Sequence, residues 1–557
     1  MRCAYRGIKS ASLNLAQFDR EEKLQVSYAA KILQLNPLLT LGSVERRFCL
    51  LENTSVCGKV GSPSALNPGL APRGARYSGL QDGRESSNEL IVAEPKTSIP
   101  DDSQASGNAA PSRKLNWQAA GRALRHRNFQ LFFSGQLISL IGTWMQTVAQ
   151  SWLVYRLTGS GLLLGSVGFA SQIPVFLFAP IGGITADRSN RQRVVIATQT
   201  ASMILAFILA ALTLTNRITV NEIFLLAALL GVVNAFDIPG RQAFLVDMVG
   251  KEDLMNAIAL NSSMFNGARV IGPAVAGVLV ARLGEGWCFF ANGVSYIAVI
   301  AGLFLMNVHA PAKASAHTSP LEHIIEGFRF VNSTGPIRAL LMLLGLVSMT
   351  GMPYVVLMPI FADKILHQGG QHLASIIGSH DLGAVRLGIL MGAAGVGALL
   401  GALTLAIRTG VKGLSRWVSV CCAGFGVSLI LFAFSKLFWL SVFLLMPVGY
   451  FIMLQMASSN TLIQVMVPDA LRGRTMAVYS MMFMGLAPIG ALLGGALSDR
   501  LGAPWTVAIG GFASVIGAIW FNAHFATVRA EARKLIIAQA MAGGEPAEEM
   551  TNPIPED

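Results

Sequence analysis

The chain has 557 residues, of which 53% are hydrophobic and only 13% are Asp, Glu, Lys or Arg, and its mean hydropathy is +0.54. Soluble domains carry about 25% charged residues, so this composition excludes an ordinary water-soluble protein and favours one that dissolves mostly in lipid. The net charge of +12 does not indicate a nucleic-acid partner, because the basic residues lie in short loops between apolar runs. That distribution is the one that orients membrane helices.

The sequence contains no motif that indicates a cofactor, a metal site or a catalytic centre. The six cysteines form no CxxC pair, and three of them lie in or beside apolar runs, so they are interpreted as small apolar residues. The chain has no GxxxxGKS/T motif for the phosphates of ATP and no motif that pairs a nucleophile with a base. We therefore expect that the chain is not an enzyme and does not bind ATP through a motif of its own, so that any energy it needs would come from an ion gradient.

Residues 1–115 differ from the rest of the chain. They contain Ser, Pro, Gly and mixed charge, without an apolar run long enough to span a bilayer. The sequence predicts a disordered extension, or one that results from a start codon assigned too far upstream, with a regulatory tail as the alternative. The chain does not start with a charged segment followed by an apolar stretch, so the sequence predicts no cleavable signal peptide.

From Asn128 onward the chain is a series of long apolar stretches. Because a bilayer core needs about 20 apolar residues per helix, they predict an all-α membrane protein with twelve transmembrane helices. The helices form two halves of six, residues 116–307 and 338–526, joined by an amphipathic connector at 308–337 and followed by a tail at 527–557. The predicted spans are 130–153, 163–185, 195–215, 221–243, 257–280, 287–307, 338–361, 387–407, 417–435, 438–461, 475–497 and 504–524.

Loop charges predict how the spans are oriented. With the amino terminus inside, the inner loops carry thirteen Lys and Arg residues and the outer loops carry seven. This bias predicts a multi-pass protein of the cell inner membrane with both termini in the cytoplasm. A faint repeat, MVGKEDLMNAIALNSSM from Met248 and MVPDALRGRTMAVYSMM from Met466, falls at matching places in the two halves. Such repeats are typical of transporters whose halves are related by an axis along the membrane normal.

The first span carries a polar stripe with steps of three and four residues, which places its members on one helix face. Amides facing lipid would be costly, so this face should point at protein or water. One hypothesis makes the stripe a wall of a central aqueous cavity that contacts the substrate, and the other gives it interhelical hydrogen bonds. Its members are Gln136, Ser139, Thr143, Gln146 and Gln150.

Spans four and five carry ionisable groups inside the predicted membrane region. Such groups usually face the bundle interior, pair with one another or mark an ion path. Asp237 is a candidate proton-coupling residue, or else it forms a structural i,i+4 pair with Arg241. Asn266 and Arg269 are candidate cavity residues, with Arg269 placed to contact an anionic part of the substrate.

The loop between spans two and three reads GGITADRSNRQR, from Gly182 to Arg193. It combines a close-packing glycine, a carboxylate at the membrane surface and a cluster of arginines. We expect these groups to act as a conformational latch, with the carboxylate accepting hydrogen bonds and the arginines anchored to the inner leaflet. The latch residues are Gly183, Asp187, Arg188 and Arg191.

This loop resembles the signature of the major facilitator superfamily, G-x-x-x-D-R-x-G-R-R, with Asn190 in place of the usual Gly. Segments 236–249, 260–277 and 463–479 are similar to the enterobactin-exporter and macrolide-efflux branch, and the resemblance covers about residues 120–527. It implies a twelve-helix bundle in two halves, alternating access and proton-driven export. Ala268 replaces a Gly expected before Arg269 in the antiporter motif, and the usual Arg-containing motif in span four is absent.

Together these features predict a secondary active transporter. The resemblance, rather than any particular residue, implies that it exports an amphipathic small molecule such as a siderophore or a drug. Its partners would be that substrate, the lipid bilayer and protons, and the chain would act as a monomer. The alternatives are an uncoupled facilitator or uniporter, the membrane subunit of an ATP-driven pump, and a membrane-embedded enzyme or sensor.

Overall fold

The computed structural model describes residues 121–307, 320–367, 382–408 and 413–542. Within these ranges the regular elements are helices, and no strand occurs among them. The predictions made for residues 1–115, for the first part of the connector and for the end of the tail lie outside the described residues. The last helix continues past the predicted boundary at 526 as far as Ala542.

The first half consists of six long helices joined by short loops. Polar caps fix where several of them begin: Ser160 accepts a hydrogen bond from the Leu163 amide, and Thr219 and Glu222 form a capping box. The helices are α1 (Arg127–Thr158), α2 (Gly161–Arg188), α3 (Arg191–Leu214), α4 (Val220–Val249), α5 (Leu254–Leu283) and α6 (Glu285–Phe304).

The connector contributes one helix, α7 (Pro320–Ser333), and the second half contributes six more. π-helical turns interrupt two of these, at Val347–Gly351 and Phe361–Ile365 in α8 and at Met481–Gly485 in α12. The six helices are α8 (Gly335–Ile365), α9 (Leu382–Ile407), α10 (Leu414–Phe434), α11 (Phe438–Met466), α12 (Leu471–Leu501, preceded by a helical turn from Asp469) and α13 (Ala503–Ala542).

Eleven helices of the described residues are long and apolar enough to cross a membrane. The first predicted span, in α1, is not among them, because three glutamines on one face lower its mean hydropathy. This helix is nevertheless 32 residues long and packs against α5 and α6 inside the bundle. Each of the twelve predicted spans thus corresponds to a helix, and the all-α membrane fold is confirmed.

The two halves repeat the same packing. The alignment of Met248 with Met466 also pairs Gly231 of α4 with Gly449 of α11. Gly231 packs against a backbone carbonyl of α2, and Gly449 packs against a backbone carbonyl of α9. Small residues at these two points allow the helix backbones to approach closely, as is usual between membrane helices.

The halves meet most closely at one end of the bundle, which we call the sealed end and which contains the α1–α2 and α12–α13 loops. There α2 packs on α12, and α5 packs on α9. A Cβ added at Gly388 of α9 would lie 2.9 Å from the Cα of Gly277 of α5. At the opposite end of the same two helices, Met255 and Ile407 are 76% and 74% exposed. The halves are therefore in close contact at the sealed end, whereas the far ends of α5 and α9 are exposed.

Candidate functional site

Asp237 of α4 lies at the centre of a buried polar network and is only 3% exposed. One carboxylate oxygen accepts hydrogen bonds from the Thr198 hydroxyl and the Gln199 side-chain amide of α3, each 2.8 Å long. The other oxygen is 2.6 Å from Nε of Arg241. The i,i+4 ion pair is therefore present, and α3 supplies two further donors. This set of partners offsets the cost of burying a carboxylate.

A second polar cluster lies next to this network, between α1 and α6. The Gln146 side-chain carbonyl of α1 accepts a 2.7 Å hydrogen bond from the Asn292 side-chain amide of α6. Tyr296, also on α6, is buried beside Thr143 of α1 and Ser202 of α3 and interacts electrostatically with Asp237. Two residues of the α1 stripe thus lie near the Asp237 network.

The structure separates the α1 stripe into two environments. Gln136, Ser139 and Gln146 are buried between helices, whereas Thr143 and Gln150 are partly exposed. Interhelical hydrogen bonding, one of the two sequence hypotheses, is the arrangement found at Gln146. Contact of the stripe with substrate stays a prediction.

The two candidate residues of α5 have different contacts. Asn266 is buried and donates a 2.9 Å hydrogen bond to the Ser262 carbonyl. The Arg269 guanidinium lies over the Trp144 ring, 5.6 Å from its centroid. Within the described residues Arg269 forms no ion pair, and a cation–π contact of this kind contributes roughly 0.5–2 kcal/mol. Its predicted contact with a substrate anion is untested.

The predicted latch residues lie at the end of α2 and the start of α3. Arg191 donates a 2.8 Å hydrogen bond to the carboxylate of Asp247 near the end of α4, so its visible contact is within the first half. Arg188 is exposed, and a Cβ added at Gly183 would have open space around it. The side chain of Asp187 lies outside the described residues. The latch role of these four residues stays a prediction.

Contacts between the halves at the sealed end involve residues that the sequence did not single out. The Asp499 carboxylate of α12 accepts hydrogen bonds from the Ser160 hydroxyl at 2.7 Å and from the backbone amides of Gly161 and Leu162 at 2.6 and 3.0 Å. A carboxylate of the second half therefore caps the first turn of α2, where it is also favoured by the helix dipole.

A second contact between the halves lies nearby. The Tyr155 hydroxyl of α1 donates a 3.0 Å hydrogen bond to the Asp363 carboxylate of α8. The Lys364 ammonium lies 5.8 Å from the Tyr155 ring centroid. Sequence periodicity could not find either contact, since each joins groups more than two hundred positions apart.

In the described part of the chain, no three His, Cys, Asp or Glu side chains come together as a metal site would require. The polar groups that do come together form hydrogen bonds and ion pairs in the membrane region. Such an arrangement can hold charge inside a bundle and move protons or ions.

Comparison with known proteins places this bundle in a family. Residues 119–552 match the family of transmembrane secretion effectors, MFS_3. The chain is 26% identical to the staphyloferrin A transporter of Staphylococcus aureus over 390 residues, which cover 69% of this chain and 93% of that protein. It is 25% identical to the enterobactin exporter EntS of Escherichia coli O1:K1 over 412 residues, which cover 73% and 93%.

Other relatives agree in fold or in class. The multidrug efflux pump Tap of Mycolicibacterium fortuitum is 26% identical over 369 residues, which cover 65% of this chain and 87% of the pump. The crystal structure of the nucleoside transporter NupG matches with a TM-score of 0.58 and 15% identity, covering 72% of this chain and 99% of that chain. The chain therefore belongs to the transmembrane secretion effector family of major facilitator superfamily transporters, in the branch of siderophore and drug exporters, and is a transporter rather than an enzyme.

Proposed function

We propose that the chain exports an amphipathic small molecule, a siderophore or a drug-like compound, across the cell inner membrane by alternating access coupled to protons. It would act as a monomer, with both termini in the cytoplasm. The relatives are named as a siderophore transporter, a siderophore exporter and a multidrug efflux pump, which supports the substrate class and the direction.

The observation that carries the proposal is the unequal contact between the two halves. The halves are hydrogen-bonded at the sealed end through Asp499. At the opposite ends of α5 and α9, which pack against each other between the halves, Met255 and Ile407 are exposed. An alternating-access cycle needs a state of this kind, closed on one side and open on the other. The excess of basic residues in the inner loops supports a cytoplasmic position for the open end, where an exported substrate would enter.

Proton coupling is supported by the Asp237 network. Asp237 is a buried carboxylate in a membrane helix and interacts electrostatically with Tyr296, which lies beside Thr143 of the α1 stripe. A carboxylate that loses and regains a proton would change its ion pair with Arg241, and that change could bias the packing of α4 between two states.

A transport assay in the host bacterium tests the proposal. A deletion strain should become several-fold more sensitive to at least one amphipathic toxic compound, or accumulate a siderophore that it normally secretes. The plasmid-borne gene should restore export, and a protonophore should abolish it. Export that continues with the protonophore present would favour an uncoupled facilitator, and no change across a broad panel of compounds would overturn the proposal.

A further inference from the structure

A pocket of about 350 Å³ lies between α2 of the first half and α12 of the second half. None of the candidate site residues predicted from the sequence lines it. Its walls are mostly apolar, and its volume lies in the range of small-molecule sites. The residues that define this α2–α12 pocket include Phe176, Pro180, Arg474, Ala477, Met481 and Met484.

The walls suit a flexible apolar guest. Met481 and Met484 belong to the π-helical turn of α12, and Phe176 lies against Gly485, where an added Cβ would be 2.5 Å from its ring. Methionine side chains are unbranched and polarisable, so they adapt to apolar bodies of different shape. The π-helical turn places both methionines on the α12 wall of the pocket, and such turns are frequent at functional sites.

Arg474 is the one charged residue among those that line the pocket. Its side chain is 28% exposed, and one guanidinium nitrogen is 2.5 Å from the carboxylate of Glu326 on α7, which is itself half exposed. A guanidinium has five donors in a planar fork, so one ion pair at the rim leaves donors for a second acceptor. Exposed ion pairs are weak, so a ligand anion can share or displace Glu326.

We propose that the α2–α12 pocket binds amphipathic anions, with the apolar body against Phe176 and the two methionines and the anionic group on Arg474. Charge complementarity and the apolar walls together select this class. The inference rests on the proposed export of amphipathic solutes and specifies which of them dock at this point between the halves.

Photolabelling of the full chain in lipid nanodiscs tests the proposal without any ion gradient. The probe is a dodecanoate that carries a diazirine in its chain, and the matched probe is the corresponding dodecyltrimethylammonium. Peptide mapping should place the carboxylate label on the pocket segments of α2 and α12, well above the label from the cation. Arg474→Gln should lower labelling by the carboxylate roughly tenfold, since it removes a charge-assisted hydrogen bond.

Three variants separate ligand binding from structural support. Glu326→Gln breaks the same ion pair but keeps the guanidinium, so carboxylate labelling should persist or rise. Arg472→Gln changes an exposed arginine on the same helix and should leave labelling unchanged. Ala477→Trp should fill the pocket and block both probes. Equal labelling by anion and cation, or equal losses in Glu326→Gln and Arg474→Gln, would overturn the proposal. Export measured in cells is a separate readout, so loss of labelling and loss of export are distinguishable.

Discussion

Asp237 and Gln455 occupy equivalent positions in the two halves, because the alignment of Met248 with Met466 also pairs these two residues. Both side chains are buried in the membrane region, at 3% and 0% exposure. Asp237 has three side-chain partners, whereas neither atom of the Gln455 amide has a hydrogen-bond partner in the described part of the chain. At this position the first half has an ionisable side chain with three partners. The second half has a neutral side chain without one in the described part of the chain.

The asymmetry predicts that Asp237→Asn abolishes proton-driven uphill transport while downhill exchange of substrate continues. Asparagine keeps the size of the side chain and can still accept a hydrogen bond from Thr198, but it cannot release a proton. Transport in everted vesicles with an imposed pH gradient, compared with counterflow in the absence of a gradient, measures the two activities. Full uphill activity in this variant would refute a coupling role for Asp237.

Gln455→Leu is predicted to raise the thermal stability of the purified protein. A buried amide without partners costs about 1–3 kcal/mol, and an apolar side chain of similar volume removes that cost. The measurement is a thermal unfolding curve in the same detergent for both proteins, with Ser459→Ala as a control on the same helix. A lower unfolding temperature in Gln455→Leu would mean that the amide is bonded by ordered water in the native protein.

Asp499→Asn is predicted to loosen the sealed end. The substitution removes the charge that caps α2, and a hydrogen bond to a charged group contributes about 1.5–3 kcal/mol. Maleimide labelling of a cysteine placed at Thr158 should therefore become roughly tenfold faster. Asp469→Asn, an exposed aspartate at the start of the same helix, is the matched control and should leave the rate unchanged. Equal rates in all three proteins would show that Asp499 does not hold the halves together.

The acid stability of the first half is predicted to depend on Asp253, which precedes α5. A hydrogen bond from His126, and after it the charge of Arg122, lower the pKa of this carboxyl below its usual value of 3.8. A lowered pKa in the folded state means that the ionised carboxylate contributes stability above pH 3.8, and that the contribution is lost as the pH falls through the folded value.

Thermal unfolding of the wild-type chain and of Asp253→Asn, compared at pH 6 and at successively lower pH, tests this. The two unfolding temperatures should differ at pH 6 and converge below pH 3.8. Glu252→Gln changes the neighbouring exposed carboxylate and should leave the difference between pH values as in the wild type. A gap that widens at low pH would contradict the prediction.

The sequence predicted the helices well and their contacts poorly, for a physical reason. Apolar length marks each span, and steps of three and four residues place Gln146 on the face that is bonded in the bundle. Periodicity does not say which helix lies opposite, so the donors Thr198 and Gln199 of α3 and the partner Asn292 of α6 were missed. Their polar side chains in apolar spans were the available signal. The Asp499 cap was beyond reach, because it depends on how two distant segments meet.

The close approach of α5 and α9 leads to a final prediction, which has a control variant on α9. A methyl group in Gly388→Ala would lie 2.9 Å from the Cα of Gly277, so the helices must separate at the sealed end. Overpacking of this kind costs about 1–3 kcal/mol, and the variant should unfold at lower temperature and transport more slowly. In Gly392→Ala, one turn further along α9, the nearest atom is 3.7 Å away, so stability should be unchanged or slightly raised. Equal stability of the two variants would mean that the halves do not approach each other at Gly277 and Gly388.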